Sequence, residues 1–376
     1  MKVAALFLLL ALAGCLDPEP VADQEESFAP PTSWDYEVSR SNYTEGVQLF
    51  LGQVGAYTVE LQGTVYEPNA TNPDLVLIMH GRHGTCEILS IEGLAPHCPE
   101  TPVTSAVPSM HGYDAFGYAL AKKGFFVVSV DANGVNGMDL QWSLIGDDSG
   151  ATARALVLQA HYDYLMDNHE LSGRVGLIGH SRGGEAVNLA ATTLTPTPNA
   201  IFSIAPTDFD DHDVEQVPFL VLLPECDGDV SDLQGMDVYR RGYEQGGPRY
   251  QVWMAGANHN FYNTVWTQDD ARFRYSEGLC ADESRRYSIP EQTRMGAAIA
   301  TSFFQKEMAG VNDGQLWPME CHWDCPQPIH LLAKIGTPFQ NPCPSVEPFR
   351  ASPADAASRC TNTLTNADWV FSVAQM

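Results

Sequence analysis

Short continuous apolar runs recur along the chain and alternate with stretches of helical spacing. Leu75-Val76-Leu77-Ile78-Met79 is such a run, and Phe125 to Val130, Arg174 to Ile178, Ala200 to Ile204, Phe219 to Leu223 and Tyr250 to Met254 repeat it. Apolar runs of this length, without alternation, mark strands buried on both faces. Ala115 to Lys123, Ala151 to Asn168, Glu185 to Thr193 and Glu291 to Met308 carry helical patterns. Ala56 to Glu60 and Gln62 to Tyr66 suggest an opening pair of antiparallel strands. Strands alternating with helices predict an α/β fold, a mostly parallel central sheet with helices on both faces. Ligands of such sheets sit beyond the carboxyl ends of the strands, so the chemistry is sought in the loops that follow these runs.

The ends of the chain break this pattern. Lys2 and the apolar stretch Val3 to Leu12 form a signal-like segment too short to span a bilayer as a mature helix. It runs into Leu12-Ala13-Gly14-Cys15, which resembles a bacterial lipobox; the resemblance implies lipidation at Cys15 and an exported lipoprotein of the outer membrane or cell surface. Residues 1–15 are therefore expected to be the signal, 16–33 an acidic, proline-containing tether, and 34–310 the main domain. Residues 311–376, rich in proline and cysteine, are expected to form a disulfide-stapled C-terminal extension.

Composition is that of a globular chain, 44% hydrophobic and 18% charged, with enough apolar side chains for a full core. The net charge of −27 repels phosphate backbones and excludes nucleic acid as an expected partner. Setting Cys15 aside leaves eight cysteines, an even number that in an exported chain predicts disulfides. Pairing nearest neighbours gives Cys86 with Cys98, Cys226 with Cys280, Cys321 with Cys325, and Cys343 with Cys360; eight cysteines allow about 105 connectivities, so this is one choice among many.

The run ending at Ile178 leads into Gly179-His180-Ser181-Arg182-Gly183-Gly184, with a helical pattern behind it. Strand, sharp turn and helix are the context that gives G-x-S-x-G meaning. The turn lifts the Ser181 hydroxyl clear of the sheet, and side chains at Gly179 and Gly183 would collide with backbone. A serine nucleophile needs a base, and the base needs an orienting acid; in this context the chain order is serine, acid, histidine. His259, in the loop after Tyr250 to Met254, is the candidate base. Asp227, just past Phe219 to Leu223, is the candidate acid, with Asp229 as the alternative and the cluster Asp208, Asp210, Asp211 and Asp213 as a third place. The oxyanion is expected to meet two backbone N–H groups, those of Arg182 and of Arg82 in His80-Gly81-Arg82-His83-Gly84.

Together these residues resemble the α/β-hydrolase superfamily over about residues 50 to 310. The string Gly-His-Ser-Arg-Gly-Gly looks like the elbow of chlorophyllases and is close to those of platelet-activating-factor acetylhydrolases and bacterial cutinase-like polyesterases. In the polyesterases the acid lies in a Glu-Asn-Asp loop, and Glu225-Cys226-Asp227 stands at the matching place, which supports Asp227. Several of those enzymes staple the acid loop to the chain beyond the histidine, a role open to Cys226 and Cys280 here. The insert between Gly84 and His111 and the tail after 310 have no counterpart in the resemblance.

The resemblance implies an exported serine hydrolase that cleaves carboxylic esters through an acyl-enzyme. Its substrate would be a small-molecule, lipid or polymeric ester, with no cofactor and no metal, and its contact with the membrane would be the anchor on Cys15. An amidase or peptidase using the same triad is the alternative, and a non-catalytic surface-anchored binding lipoprotein is another. Cys321-His322-Trp323-Asp324-Cys325 and the trio Asp227, Asp229 and Asp232 lack the spacing of metal sites, and His80 and His83 are better explained by their place after a central strand. Trp142, Trp253 and Trp266 flank the candidate loops as pocket or core residues.

Overall fold

The computed structural model describes residues 35–50, 56–89, 91–95, 98–138, 150–242, 247–311, 329–334 and 369–374. Cys15, the expected tether, Trp142, Cys321, Cys325, Cys343 and Cys360 lie outside these residues.

Two long strands open the fold, β1 (Val38–Phe50) and β2 (Ala56–Pro68), paired antiparallel from Val38 opposite Pro68 to Phe50 opposite Ala56. The sequence suggested two short strands within 56–66. They are one strand: buried Val59 and Leu61 flank exposed Glu60, and the strand continues without a turn through Gly63 to Tyr66, all buried where β2 pairs with β7. The hairpin partner is the mostly polar stretch before it, which shows no apolar run.

The strands β3 (Leu75–Met79), β7 (Phe126–Val130), β8 (Val175–His180), β9 (Ala200–Ile204), β10 (Phe219–Pro224) and β11 (Arg249–Met254) match the apolar runs to within a residue or two at their ends. Between β3 and β7 the insert folds into a small antiparallel sheet of β4 (Cys86–Ile88), β5 (Ile91–Gly93) and β6 (Thr104–Ala106), braced by a Cys86–Cys98 disulfide. Among the described residues the α-helices are α1 (Asp114–Ala121), α2 (Asn133–Asn136), α3 (Ala151–Asn168), α4 (Arg182–Thr193), α5 (Gly235–Arg241), α6 (Asp270–Arg274) and α7 (Ile289–Glu307).

The main sheet runs β1-β2-β7-β3-β8-β9-β10-β11, then β12 (Ile329–Lys334) and β13 (Trp369–Ala374). From β7 to β11 all neighbours are parallel. The tail was expected to form a disulfide-stapled C-terminal extension, and its cysteines lie outside the described residues. Its two described strands continue the main sheet, β12 pairing antiparallel with β11 and β13 with β12.

Successive residues of a strand face opposite sides, so each central strand feeds two cores. Leu75, Leu77 and Met79 join Val157 and Leu158 of α3 and Val187 of α4 on one side. Val76 and Ile78 join Phe116 and Leu120 of α1 and Phe303 and Phe304 of α7 on the other. The register places the functional loops. Met79 lies opposite Gly179, so the loops after β3 and β8 start side by side. Pro224 lies opposite Met254, so the loops carrying Asp227 and His259 do the same. No helix among the described residues is long and apolar enough to cross a membrane.

Candidate active site

Ser181 stands between β8 and α4 with φ 58° and ψ −125°, a backbone conformation that a non-glycine residue adopts only under constraint. Its N–H donates to Ile204 O at 2.9 Å and its carbonyl accepts from Gly184 N–H at 2.8 Å, which ties the turn to β9 and to the first turn of α4. A Cβ on Gly179 would run into the Gly183 carbonyl, and one on Gly183 into the Met79 carbonyl. Glycine at both places is therefore what lets strand and helix close so tightly. A Cβ on Gly81 would lie 2.5 Å from Ser181 Cβ, so the loop after β3 touches the serine directly.

His259 and Asp227 are both buried, with His259 Nδ1 2.9 Å from Asp227 Oδ2. An ionised carboxylate only accepts, so Nδ1–H donates and the neutral ring keeps its lone pair on Nε2. Nε2 has no hydrogen-bond partner among the described residues. Asp227 Oδ1 accepts from the N–H groups of Asp229 and Val230 at 3.0 and 2.6 Å. These contacts separate the three candidate acids. Asp229, largely exposed, sits 3.7 Å from His259 Nε2 on the wrong side of the ring to orient it. Asp208, Asp211 and Asp213 instead converge on Arg241 at 2.7, 3.2 and 2.7 Å.

Burial works against an imidazolium at His259, but the charge and hydrogen bond of Asp227, followed by the charges of Asp229 and Asp270, outweigh it and raise the pKa to about 9. Asp270 was not foreseen. Its carboxylate accepts from Gly228 N–H at 2.7 Å and from the N–H groups of His259 and Asn260, each at 3.0 Å, clamping the Asp227 loop to the His259 loop. Tyr275 donates to Asp227 O at 2.9 Å, and the Cys226–Cys280 disulfide holds the same segment. Both pairings of nearest cysteines that fall within the described residues are formed.

His180 is buried between Tyr113 and His259. Its Nε2–H donates to His259 O at 3.0 Å, and Nδ1 accepts from Tyr113 OH at 2.9 Å. Burial and the neighbouring His259 hold its pKa well below the ordinary histidine value, so it stays neutral. Trp266 packs behind it and stacks on His83 with ring centroids 4.9 Å apart, while Trp253 packs against the core. Burial lowers the His83 pKa to about 4.

A cavity of about 180 Å³ opens at Ser181, with Arg82, Arg182, Thr207, Phe209, Asp229 and Gln234 in its wall. The guanidinium of Arg182 lies over the Phe209 ring at 5.7 Å. Glu185, buried in the first turn of α4, accepts from Thr207 Oγ1 at 2.7 Å and from Phe209 N–H at 2.6 Å, fixing that wall. Glu185, Asp210 and His212 offer ligand atoms within 4.8 Å of one another, but both oxygens of Glu185 are already engaged in these hydrogen bonds.

A mostly parallel sheet with a serine elbow and a buried Asp–His pair beyond its strand ends defines an α/β-hydrolase-fold serine hydrolase. The family model described as X-Pro dipeptidyl-peptidase (S15 family) matches residues 55–246, just over half of the chain, and the chain belongs to that family. Ser181 and Asp227 fall within the match, and His259 lies beyond its end. The narrower likeness to chlorophyllases, acetylhydrolases and polyesterases is not what the match returns. No curated protein matches the chain.

Proposed function

We propose that the protein hydrolyses amide bonds of peptides, with Ser181 as nucleophile, His259 as general base and Asp227 as the acid that orients it. The observation that carries this reading is the buried Asp227–His259 pair beside an elbow serine, in a chain matched by a peptidase family. Ser181 Oγ adds to the carbonyl carbon while His259 Nε2 takes its proton. The tetrahedral oxyanion is held by the N–H groups of Arg182 and Arg82. Collapse expels the amine, which receives the proton from His259, and water clears the acyl-enzyme by the reverse sequence. The site is small for a ligand pocket, which suits a compact acyl group.

Ester cleavage, expected from the elbow string, uses the same intermediate. Matched p-nitroanilides and p-nitrophenyl esters with the same acyl part, Xaa-Pro among them, separate the two. Anilide turnover that vanishes in Ser181→Ala supports the amide reading; turnover confined to the esters overturns it in favour of the esterase. Export with a lipid on Cys15 also belongs to this proposal. The lipobox-like sequence and the two disulfides, which need an oxidising compartment, support it. Metabolic labelling with a fatty acid, lost in Cys15→Ser, tests it.

A further inference from the structure

The carbonyl oxygen of Gly81 accepts two buried hydrogen bonds, from His80 Nδ1 and from Asn136 Nδ2, each at 2.9 Å. The chemistry of the partners fixes both donors. The N–H of Ala132 donates to His80 Nε2 at 2.8 Å, so in the neutral ring the proton is on Nδ1. The guanidinium of Arg154 hydrogen-bonds the side-chain oxygen of Asn136; arginine has only donors, so the amide NH₂ must face Gly81. Arg154 also donates to Gly150 O at 3.1 Å. His80, Asn136 and Arg154 are all fully buried.

A trans peptide carries its N–H on the side opposite its C=O. Two donors hold the Gly81 oxygen from the core side. The N–H of Arg82 is thereby directed away from those donors, and Arg82 and Ser181 both line the cavity. We propose that Asn136, held in place by Arg154, is a positioning residue for the oxyanion hole: it fixes the Gly81–Arg82 peptide plane so that the Arg82 N–H points at the developing oxyanion. The proposal rests on the reading of Ser181 as nucleophile. A guanidinium buried in α3 is costly for stability alone, since apolar side chains of similar volume serve a core as well or better. A fixed donor worth about 10²–10³ in rate is a use that an apolar replacement cannot supply.

Asn136→Asp tests it. The variant keeps the size of the side chain and strengthens the link to Arg154, but sets a carboxylate oxygen against Gly81 O. A role confined to pairing with Arg154 tolerates that exchange. The probe is phenylboronic acid, whose empty boron orbital accepts a Ser181 Oγ lone pair. The adduct is anionic and tetrahedral, the serine proton passes to His259, and no group leaves. Its inhibition constant therefore reports the oxyanion site for an esterase and a peptidase alike. The expected result is a melting temperature near that of the wild type, unchanged KM, and boronate affinity and kcat falling together by ~10–100-fold. Undiminished boronate affinity in Asn136→Asp overturns the proposal. Should that variant not accumulate, Asn136→Ala is read in the same way. If neither phenylboronic acid nor a fluorophosphonate engages Ser181 in the wild type, the nucleophile reading falls and this proposal falls with it. Labelling of the wild type with equal boronate affinity in the variant removes the positioning role alone.

Discussion

Asp227 divides its two oxygens between tasks: Oδ2 meets His259 Nδ1 at 2.9 Å, and Oδ1 meets the N–H of Val230 at 2.6 Å. The carboxylate is thus anchored to its own loop while it orients the ring. Asp227→Asn keeps the shape but favours the wrong tautomer of His259, leaving the proton on the nitrogen that should accept from Ser181. We expect kcat to drop about 10⁴-fold with little change in KM or melting temperature. Asp229→Asn, by contrast, should retain most activity. Steady-state kinetics on both variants check the assignment, and a larger loss in Asp229→Asn would reverse it.

The pKa of His259, raised to about 9, has two consequences of opposite sign. The base must be neutral to accept a proton, so kcat/KM should climb with pH through a midpoint near 9. Asp229→Asn removes a negative charge 3.7 Å from Nε2 and should move that midpoint to lower pH. Stability follows the other direction. A histidine whose folded pKa is raised gives its full stabilisation below its unfolded value of about 6.5, and the stabilisation is lost as pH rises through the folded pKa. The difference in melting temperature between wild type and His259→Gln should therefore shrink towards alkaline pH. A difference that widens from about pH 7 to about pH 10 would contradict the shift.

The Cys226–Cys280 disulfide closes a separation of 54 residues that contains Asp227, His259 and Asp270. Cross-links of this kind typically contribute ~2–4 kcal/mol, chiefly by restricting the unfolded chain. The double variant Cys226→Ala/Cys280→Ala should lose stability of that order in urea. Because the carboxylate of Asp270 still joins the two loops, activity of the molecules that remain folded should stay within a few-fold. Activity lost well before the unfolding transition would mean that the cross-link itself sets the geometry of the pair.

Arg241 holds Asp208, Asp211 and Asp213, and with them the segment that brings Thr207 and Phe209 to the cavity wall. Asp211 and Asp213 are partly exposed, but the Asp208 side chain is almost fully buried, so Arg241→Met should cost about 3 kcal/mol in stability, and its kinetic effect should divide unevenly. Its larger effect should fall on KM, since the wall loosens while Ser181, His259 and Asp227 are untouched. A fall in kcat at constant KM would count against this division.

The central strands were legible because burial on both faces leaves unbroken apolar runs, as in Leu75–Met79. The elbow was legible because its glycines answer a steric need that spacing records. The strand β1 was not, since half of its face is polar and its pairing is decided by β2. The small sheet of the insert escaped because strands of three residues are shorter than any period they could display. Asp270, Asn136 and Arg154 were invisible for another reason. They act on backbone N–H and C=O groups, which every residue carries, so their partners leave no mark on composition or spacing. Asp227 was favoured over Asp229 by its place after the strand; in the structure Asp227 meets His259 Nδ1 at 2.9 Å and Asp229 lies 3.7 Å from Nε2.

The antiparallel pair β12 and β13 changes what the base strand is. Without it, β11 would end the sheet and present a row of unsatisfied amides and carbonyls beside the loop that carries His259. Such a border recruits any extended chain, including another copy of the same protein or an unfolded peptide. With the tail paired onto it, that border of β11 is occupied by the protein's own backbone, and among the described residues the outer edge of the sheet lies at β13, two strands further from the loop that carries His259.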